Sequence, residues 1–331
     1  MRILVTGGAG FIGSNYVLQT VAARPNDHVT VIDSLNYAAN RASLDPVADA
    51  IEFVEGSTAD EELTDRLVRE ADVVVNFAAE SHNDNSLHDP TPFLRSNVIG
   101  TWNLIEAVRR YGARLHHVST DEVFGDLAID EARRFTEETA YRPSSPYSAT
   151  KASADHLVRA WVRSFDIKAT ISNCSNNYGP RQHVEKFIPR QITNILLGVK
   201  PKLYGAGTNV RDWIHVDDHN SAVQAIIDRG RIGETYLIGA ECEVDNVTIV
   251  RTLLRIMGKP EDWLDFVADR PGHDVRYAID PAKLTAELGW RPTYPDLEAG
   301  LRATVAWYED NRRWWEQAKQ EAEKVYALIG R

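Results

Sequence analysis

The sequence predicts an α/β fold, a Rossmann-type doubly wound parallel sheet joined to a smaller, loop-rich α/β region. Three observations predict it. Short apolar runs alternate with longer helical stretches from residue 2 to about residue 178. A glycine-rich turn follows the first run and opens the first helix. Beyond about residue 179 the alternation loosens, and Gly, Pro and polar residues break up the pattern. Buried strands that alternate with helices imply βαβ units and a parallel sheet.

The strand-like runs are Arg2–Thr6, His28–Asp33, Ile51–Glu55, 73–78, 115–119 and 169–173. Helical stretches between them include Phe11–Ala23, 92–111 and 147–165. Further helices are expected at 188–197, 217–228 and 247–257. The division is thus a nucleotide-binding part over 1–178 and a second, substrate-binding part over 179–331, with an approximate boundary that the chain can cross. In the tail, 295–329, Leu301, Val305, Tyr308, Ala318, Ala322 and Val325 recur at near-helical spacing. Trp307, Trp314 and Trp315 read there as packing residues.

At 331 residues and 43% hydrophobic content, the chain can bury a sizeable core. Its net charge of -11 argues against a nucleic-acid partner, which needs a basic face. An anionic ligand would require a few cations placed locally. Two cysteines, Cys174 and Cys242, give no disulfide framework and no metal-ligand spacing, so no metal is expected. No apolar run approaches the length of a membrane span, and the N-terminus enters a strand at once. The expectation is a cytoplasmic protein with no membrane partner.

The glycine turn is Val5-Thr-Gly-Gly-Ala-Gly-Phe-Ile-Gly13, with Gly7, Gly10 and Gly13 at GxxGxxG spacing. Glycines permit the tight turn and let backbone approach a pyrophosphate, which the free N–H groups of a helix N-terminus then bind. A glycine pattern alone is often only a turn; its place between strand and helix is what makes it informative. Asp33 lies 20 residues after Gly13, at the end of the second strand. A carboxylate there accepts from the adenosine ribose and repels a 2′-phosphate, which favours NAD over NADP. Arg41, eight residues further on, is too far along the chain to alter that reading.

Tyr147 and Lys151 form YxxxK after the fifth strand. Four residues apart on a helix, they share a face. A phenol with a pKa of about 10 is a poor base; a nearby ammonium and the positive nicotinamide ring are expected to favour the phenolate. YxxxK alone is frequent by chance, and its position in the sheet carries the functional reading. Ser119 and Thr120 end the fifth strand and are followed by Asp121 and Glu122. Neighbours in a strand point to opposite faces, so both carboxylates can meet one ligand only where the strand breaks into a loop. Two carboxylates in different surroundings can divide into an acid and a base. An Asp-Glu pair by itself is usually solvated surface.

Together these motifs resemble the dTDP-glucose 4,6-dehydratase family, within the extended short-chain dehydrogenase/reductases. The resemblance runs over nearly the whole chain. It is carried by Thr6-Gly-Gly-Ala-Gly-Phe-Ile-Gly13, Phe77-Ala-Ala-Glu-Ser-His82, Ser119-Thr-Asp-Glu122, Tyr147 with Lys151, Cys174-Ser-Asn-Asn-Tyr-Gly-Pro180, Glu185-Lys-Phe-Ile-Pro189, Asn209-Val-Arg-Asp-Trp213 and Asp269-Arg-Pro-Gly-His273. The glycine motif is shared with sugar epimerases and decarboxylases, whereas Thr120-Asp121-Glu122 is much more specific. The resemblance implies that Phe11, Ile12, Asp33 and Asn36 hold the adenosine half of NAD. Ala78, Ala79, Ser119, Tyr147, Lys151 and Asn177 would hold the nicotinamide half. Ser86, Thr120, Asn176, Lys186, Phe187, Arg211, Asn246 and His273 would hold a nucleotide sugar. It further implies a homodimer that pairs the outer faces of 101–111 and 147–165, through residues such as Trp102, Ile105, Val108, Leu157, Trp161 and Phe165.

Four positions depart from the family pattern: Gly56-Ser57-Thr58 where Asp-Ile commonly follows the glycine, Phe124 for Tyr, Asn85 for Arg, and Val184 for Pro. The implied chemistry is oxidation at the sugar C4, elimination of water across C5 and C6, and hydride return to C6. Tyr147 would act on the C4 hydroxyl, Glu122 on the C5 proton and Asp121 on the departing C6 hydroxyl. Two rivals stand beside it. A 4-epimerase or decarboxylase on the same fold would not need Asp121 and Glu122. A non-catalytic NAD-binding regulator would be expected to lose Tyr147 or Lys151.

Overall fold

The computed structural model describes residues 1–269, 274–294 and 296–328. Its strands are β1 (Arg2–Thr6), β2 (His28–Asp33), β3 (Ile51–Glu55), β4 (Val73–Asn76), β5 (Arg114–Thr120), β6 (Ala169–Cys174), β7 (Asn176–Tyr178), β8 (Lys202–Tyr204), β9 (Val210–His215), β10 (Thr235–Ile238), β11 (Glu243–Asp245) and β12 (Asp265–Val267). Seven of them form a wholly parallel sheet in the order β10-β6-β5-β4-β1-β2-β3. The order reverses direction between β1 and β4. A crevice opens there at the carboxyl ends of the strands, where ligands bind in such sheets.

A sheet buried on both faces reads as continuous apolar runs, and β1 and β4 do so. Alternate residues feed two cores. Val5, Val29, Val31 and Tyr236 pack with Val17 of the helix Phe11–Ala23 and with Val223 and Ile226 of Val216–Arg229. On the other face Leu4, Ile32, Val74 and Leu115 meet Leu104, Ile105 and Val108 of Gly100–Tyr111 and Val158 of Pro146–Phe165. Burial of each large apolar side chain contributes roughly 1.5–3 kcal/mol.

Three sequence expectations need adjustment here. The helix expected at 217–228 packs on the main sheet, and β10, also beyond residue 179, is an edge strand of it. The chain therefore returns to the first unit. The helix expected at 92–111 is interrupted: Leu94–Ile99 forms a wider π-type turn ahead of Gly100–Tyr111. The strand expected to run to residue 78 stops at Asn76, which frees Phe77, Ala78 and Ala79 to face the crevice.

The second unit holds a three-stranded sheet, β11-β9-β7, and a two-stranded pair, β12-β8. Its core joins Ile188, Ile192, Trp213, Leu253, Leu301, Tyr308 and Trp315. Trp315 is buried and donates to the Tyr308 carbonyl at 2.8 Å, and Trp307 stacks edge-on against Trp314 at 5.0 Å. The tail tryptophans are therefore packing residues. Among the described residues no helix is long and apolar enough to cross a membrane, and no cluster of His, Cys, Asp and Glu could hold a metal.

Candidate active site

The crevice begins at the glycine turn. Gly7 has φ +67°, and a Cβ there would lie 2.7 Å from the Ala78 nitrogen. Gly13 sits so close to the Gly7 carbonyl that a Cβ would overlap it. Both positions thus require glycine, for backbone conformation and for close approach. Asp33 is buried at the end of β2 and clasps the turn: Oδ2 accepts from Ala9 N at 2.9 Å and Oδ1 from Leu35 N at 2.8 Å. Burial pushes its carboxyl above the usual range, and the N–H groups of Leu35, Ala9 and Gly10 oppose that. Asn36 donates to Glu80 Oε1 at 2.8 Å. Gly7, Gly10, Phe11, Ile12, Gly13, Asp33, Asn36, Ala78, Ala79, Ser119, Tyr147, Lys151 and Asn177 all line one continuous pocket, so every sequence-assigned cofactor residue meets there.

The catalytic candidates line the same pocket. Ser145 caps the helix Pro146–Phe165 reciprocally with Ser148, and Pro146 occupies the first helical position. This fixes Tyr147 in the first turn and Lys151 one turn later. The Lys151 ammonium donates to the Val118 carbonyl at 2.8 Å. The phenol is buried beside Phe93, ring centroids 6.3 Å apart. Its acidity differs from the sequence expectation. Burial holds the Tyr147 phenol well above its usual value, and the charges of Glu122, Cys174 and Asp121 add to this, while a hydrogen bond with Thr120 opposes it. Lys151 does not outweigh these groups, and burial lowers its own pKa.

Asp121–Phe124 forms one tight turn at the end of β5. The strand alternation ends there, and both Asp121 and Glu122 face the pocket. Thr120 Oγ1 lies 3.3 Å from Asp121 Oδ1 and accepts from Glu122 N at 3.3 Å. Asp121 is 1% exposed. Burial, then Glu122 and Asp212, raise its carboxyl well above the ordinary range. Glu122 is half-buried. Burial raises it too, but Asn83 Nδ2 donates to Oε2 at 2.7 Å and favours the charged form. The pair is thus inequivalent: Asp121 is the better proton holder and Glu122 the better acceptor.

The residues assigned to a nucleotide sugar divide. Thr120, Asn176 and Lys186 line the pocket, and the Lys186 ammonium donates to the Ser81 carbonyl at 3.0 Å. Phe187 stacks on Trp213, centroids 6.0 Å apart, in the second core. Ser86 is buried and donates to Asn83 O at 2.7 Å, within its own helix. Arg211 is buried, stacks on Tyr277 at 4.3 Å and donates to the carbonyls of Val210 and Asp274, at 2.8 Å each. Asn246 opens the helix Asn246–Ile256. Phe187, Ser86, Arg211 and Asn246 do not line the pocket. His273 lies outside the described residues.

Sequence reasoning missed Asn83, whose amide orders Glu122, and Asn97. Asn97 Oδ1 accepts from Glu80 N at 2.8 Å, and its amide donates to Glu80 O at 3.1 Å and to Thr150 Oγ1 at 2.9 Å. It ties the loop after β4 to the catalytic helix. Asn97 lies on the π-type turn Leu94–Ile99, a feature that gathers at functional sites. Of the four departures, Gly56, Ser57 and Thr58 line the pocket, while Phe124 stacks on Phe135 at 5.1 Å in an apolar cluster where a phenol hydroxyl would be buried. Asn85 lies exposed and Val184 fills the second core.

Comparisons with known proteins identify the family. The family model described as GDP-mannose 4,6 dehydratase matches residues 4–304. The dTDP-glucose 4,6-dehydratase of Mycobacterium tuberculosis is 64% identical over 330 residues, covering 100% of both chains. The crystal structure of DesIV, a dTDP-glucose 4,6-dehydratase from Streptomyces venezuelae with NAD and TYD bound, superposes with a TM-score of 0.92. It is 45% identical and covers 96% of this chain and 100% of that one. The UDP-glucose 4-epimerase of Thermotoga maritima shares the fold at a TM-score of 0.88 and 28% identity, over 94% of this chain and 100% of that one. The full-length match to the mycobacterial relative, joined to the Thr120-Asp121-Glu122 turn beside Tyr147 and Lys151, shows that this chain belongs to the dTDP-glucose 4,6-dehydratase family.

Proposed function

We propose that the chain is an NAD-dependent dTDP-glucose 4,6-dehydratase, which converts dTDP-glucose to dTDP-4-keto-6-deoxyglucose and water. One observation carries this reading: a Tyr-Lys pair and two inequivalent carboxyls line the same crevice as the glycine turn. An epimerase has use for the first pair and none for the second. The full-length identity to named dehydratases supports the same choice.

The pocket residues fit NAD. The glycine turn presents backbone without side chains, and Ser119 Oγ, Asn176 Oδ1 and Asn177 Oδ1 are buried without a protein partner. Such atoms are costly unless a ligand satisfies them. Bound NAD supplies a hydride acceptor for C4 and later a donor for C6, so it is regenerated in each turnover. In the chain's own part, Tyr147 receives the C4 hydroxyl proton, with Lys151 and Thr120 beside it. The 4-ketone acidifies C5–H. Glu122 takes that proton while Asp121 gives one to the C6 hydroxyl, which leaves as water. Lys186 and Asn176, at the pocket wall, are assigned to the nucleotide sugar, with Ser86, Phe187, Arg211 and Asn246 completing the set. Incubation with dTDP-glucose is expected to yield a keto sugar and no 4-epimer; dTDP-galactose as the product would overturn the reading.

The same reading gives a cytoplasmic homodimer, with the nucleotide-binding part over 1–178, rejoined by Val216–Arg229 and β10, and the substrate-binding part in the rest of 179–331. Both cysteines are free, in keeping with a reducing compartment. For the dimer, Ile105 and Val108 are committed to the sheet core, but Trp102 and Phe165 are exposed on the two helices concerned, and Leu94 and Ile99 on the π-type turn that precedes the first. Trp102→Glu with Phe165→Glu is expected to convert a dimer into a monomer by light scattering; a wild-type chain that is monomeric at micromolar concentration would contradict this assignment.

A further inference from the structure

Behind the catalytic helix lies a buried polar chain that the mechanism above does not use. Ala78 N donates to Thr6 Oγ1 at 3.2 Å, and that hydroxyl donates to Asn76 Oδ1 at 2.6 Å. The Asn76 amide is thereby oriented, and its Nδ2 faces His117 Nδ1 at 3.0 Å. An amide NH₂ can only donate, so Nδ1 accepts and the ring carries its proton on Nε2. Nε2 lies 3.3 Å from Asp155 Oδ1, within ion-pair distance, and neither atom has another hydrogen-bond partner among the described residues. Asp155 and His117 are both 0% exposed. The other oxygen of Asp155 accepts from Tyr141 OH at 2.7 Å and from Asn173 Nδ2 at 3.1 Å. Asn173 also donates to the Thr120 carbonyl at 3.1 Å.

Tyr147, Lys151 and Asp155 are spaced by four on one helix and so form a stripe on one face. Asp155 therefore touches both halves of the site. Along the helix it backs Lys151. Through Asn173 it holds the backbone of Thr120, where the Asp121-Glu122 turn begins.

We propose that Asp155, oriented by His117, is a positioning residue that supplies the buried counter-charge for Lys151 and fixes the Thr120 turn against the catalytic helix. The inference rests on the dehydratase reading for the identity of the reaction. The charged and titratable groups around the pair are Lys151 and Tyr147 on its own helix, His117 on β5, Cys174 on β6, and Tyr141, whose hydroxyl also accepts from Arg159 at 2.8 Å. Burial lowers the Lys151 pKa, and Asp155 is the largest influence opposing it. Removal of that charge makes Lys151 lose its proton at lower pH. His117 is foremost among the groups that keep Asp155 ionised against burial. Loss of its Nε2 donor makes Asp155 take up a proton at higher pH.

The test is the pH profile of sugar oxidation, read from the absorbance of enzyme-bound reduced nicotinamide after NAD-loaded protein meets dTDP-glucose. In Asp155→Asn the alkaline limb is expected to move acidward by about one unit or more. At a pH on that limb this is a loss of about tenfold beyond any uniform fall in rate. In His117→Asn, which keeps a partner for Asn76, the acid limb is expected to move upward, and this arm decides if Asp155→Asn does not fold. Limbs that superpose on the wild type after scaling would overturn the proposal and leave the cluster a structural one. Wild-type keto-sugar formation is scored in parallel. Failure of elimination is thus read apart from failure of the limbs to move, because oxidation alone reports on Lys151.

Discussion

Tyr147→Phe is expected to leave a folded chain that still takes up NAD but turns over dTDP-glucose about 10²- to 10⁴-fold more slowly, the span usual for loss of a general acid–base group. The fold should survive because nothing structural depends on the hydroxyl. The helix is started by Ser145, Pro146 and Ser148, and the ring itself packs on Phe93. The chemistry should not survive. The phenol is held in its protonated form by burial and by two neighbouring carboxyls, so proton removal from C4–OH is already demanding with the hydroxyl present. The variant should form almost no bound reduced nicotinamide in a single-turnover mixing experiment. Turnover within a few-fold of wild type would remove Tyr147 from this role.

Glu122→Gln should fail at a different point. An amide cannot take the C5 proton, so dehydration is expected to fall by a similar factor, about 10²- to 10⁴-fold. Oxidation should persist, because Glu122 is the strongest of the charges that hold the Tyr147 phenol up, and its removal eases formation of the phenolate. The expected outcome is bound reduced nicotinamide that accumulates and decays slowly. Absence of that build-up, with unchanged product release, would place the C5 proton elsewhere. The contrast between the two variants is diagnostic: one blocks before oxidation, the other after it.

Much of this site was legible in the sequence because it depends on local rules. The glycine spacing, the strand-end Asp33, the helical YxxxK and the carboxylate pair beyond a strand each follow from backbone geometry at one place in the chain. What escaped was long-range. Asn83 and Asn97 act on Glu122 and Glu80, 39 and 17 residues away, and no periodicity encodes an amide bridging two loops. Asp155 was visible only as another polar residue of a helix; its meaning comes from His117, 38 positions earlier in the chain, and from Asn173 on the next strand. The groups that raise the Tyr147 phenol are long-range too. Its neighbour along the helix is Lys151, but its neighbours in space are carboxyls. The fold shows the same division. The parallel sheet was readable from apolar runs, whereas the return of β10 and of Val216–Arg229 to that sheet was not, because sequence order does not say which core a helix joins.

The central claim is that one pocket removes a hydride at C4, eliminates water across C5 and C6, and delivers the same hydride to C6. Substrate carrying deuterium at C4, turned over in light water, tests it most directly. The account predicts product with deuterium in the 6-methyl group. The companion run, unlabelled substrate in heavy water, should place solvent deuterium at C5, where Glu122 has exchanged the proton. Deuterium that returns to C4, as in an epimerase, or that is lost to solvent, would contradict the roles given to Tyr147, Asp121 and Glu122.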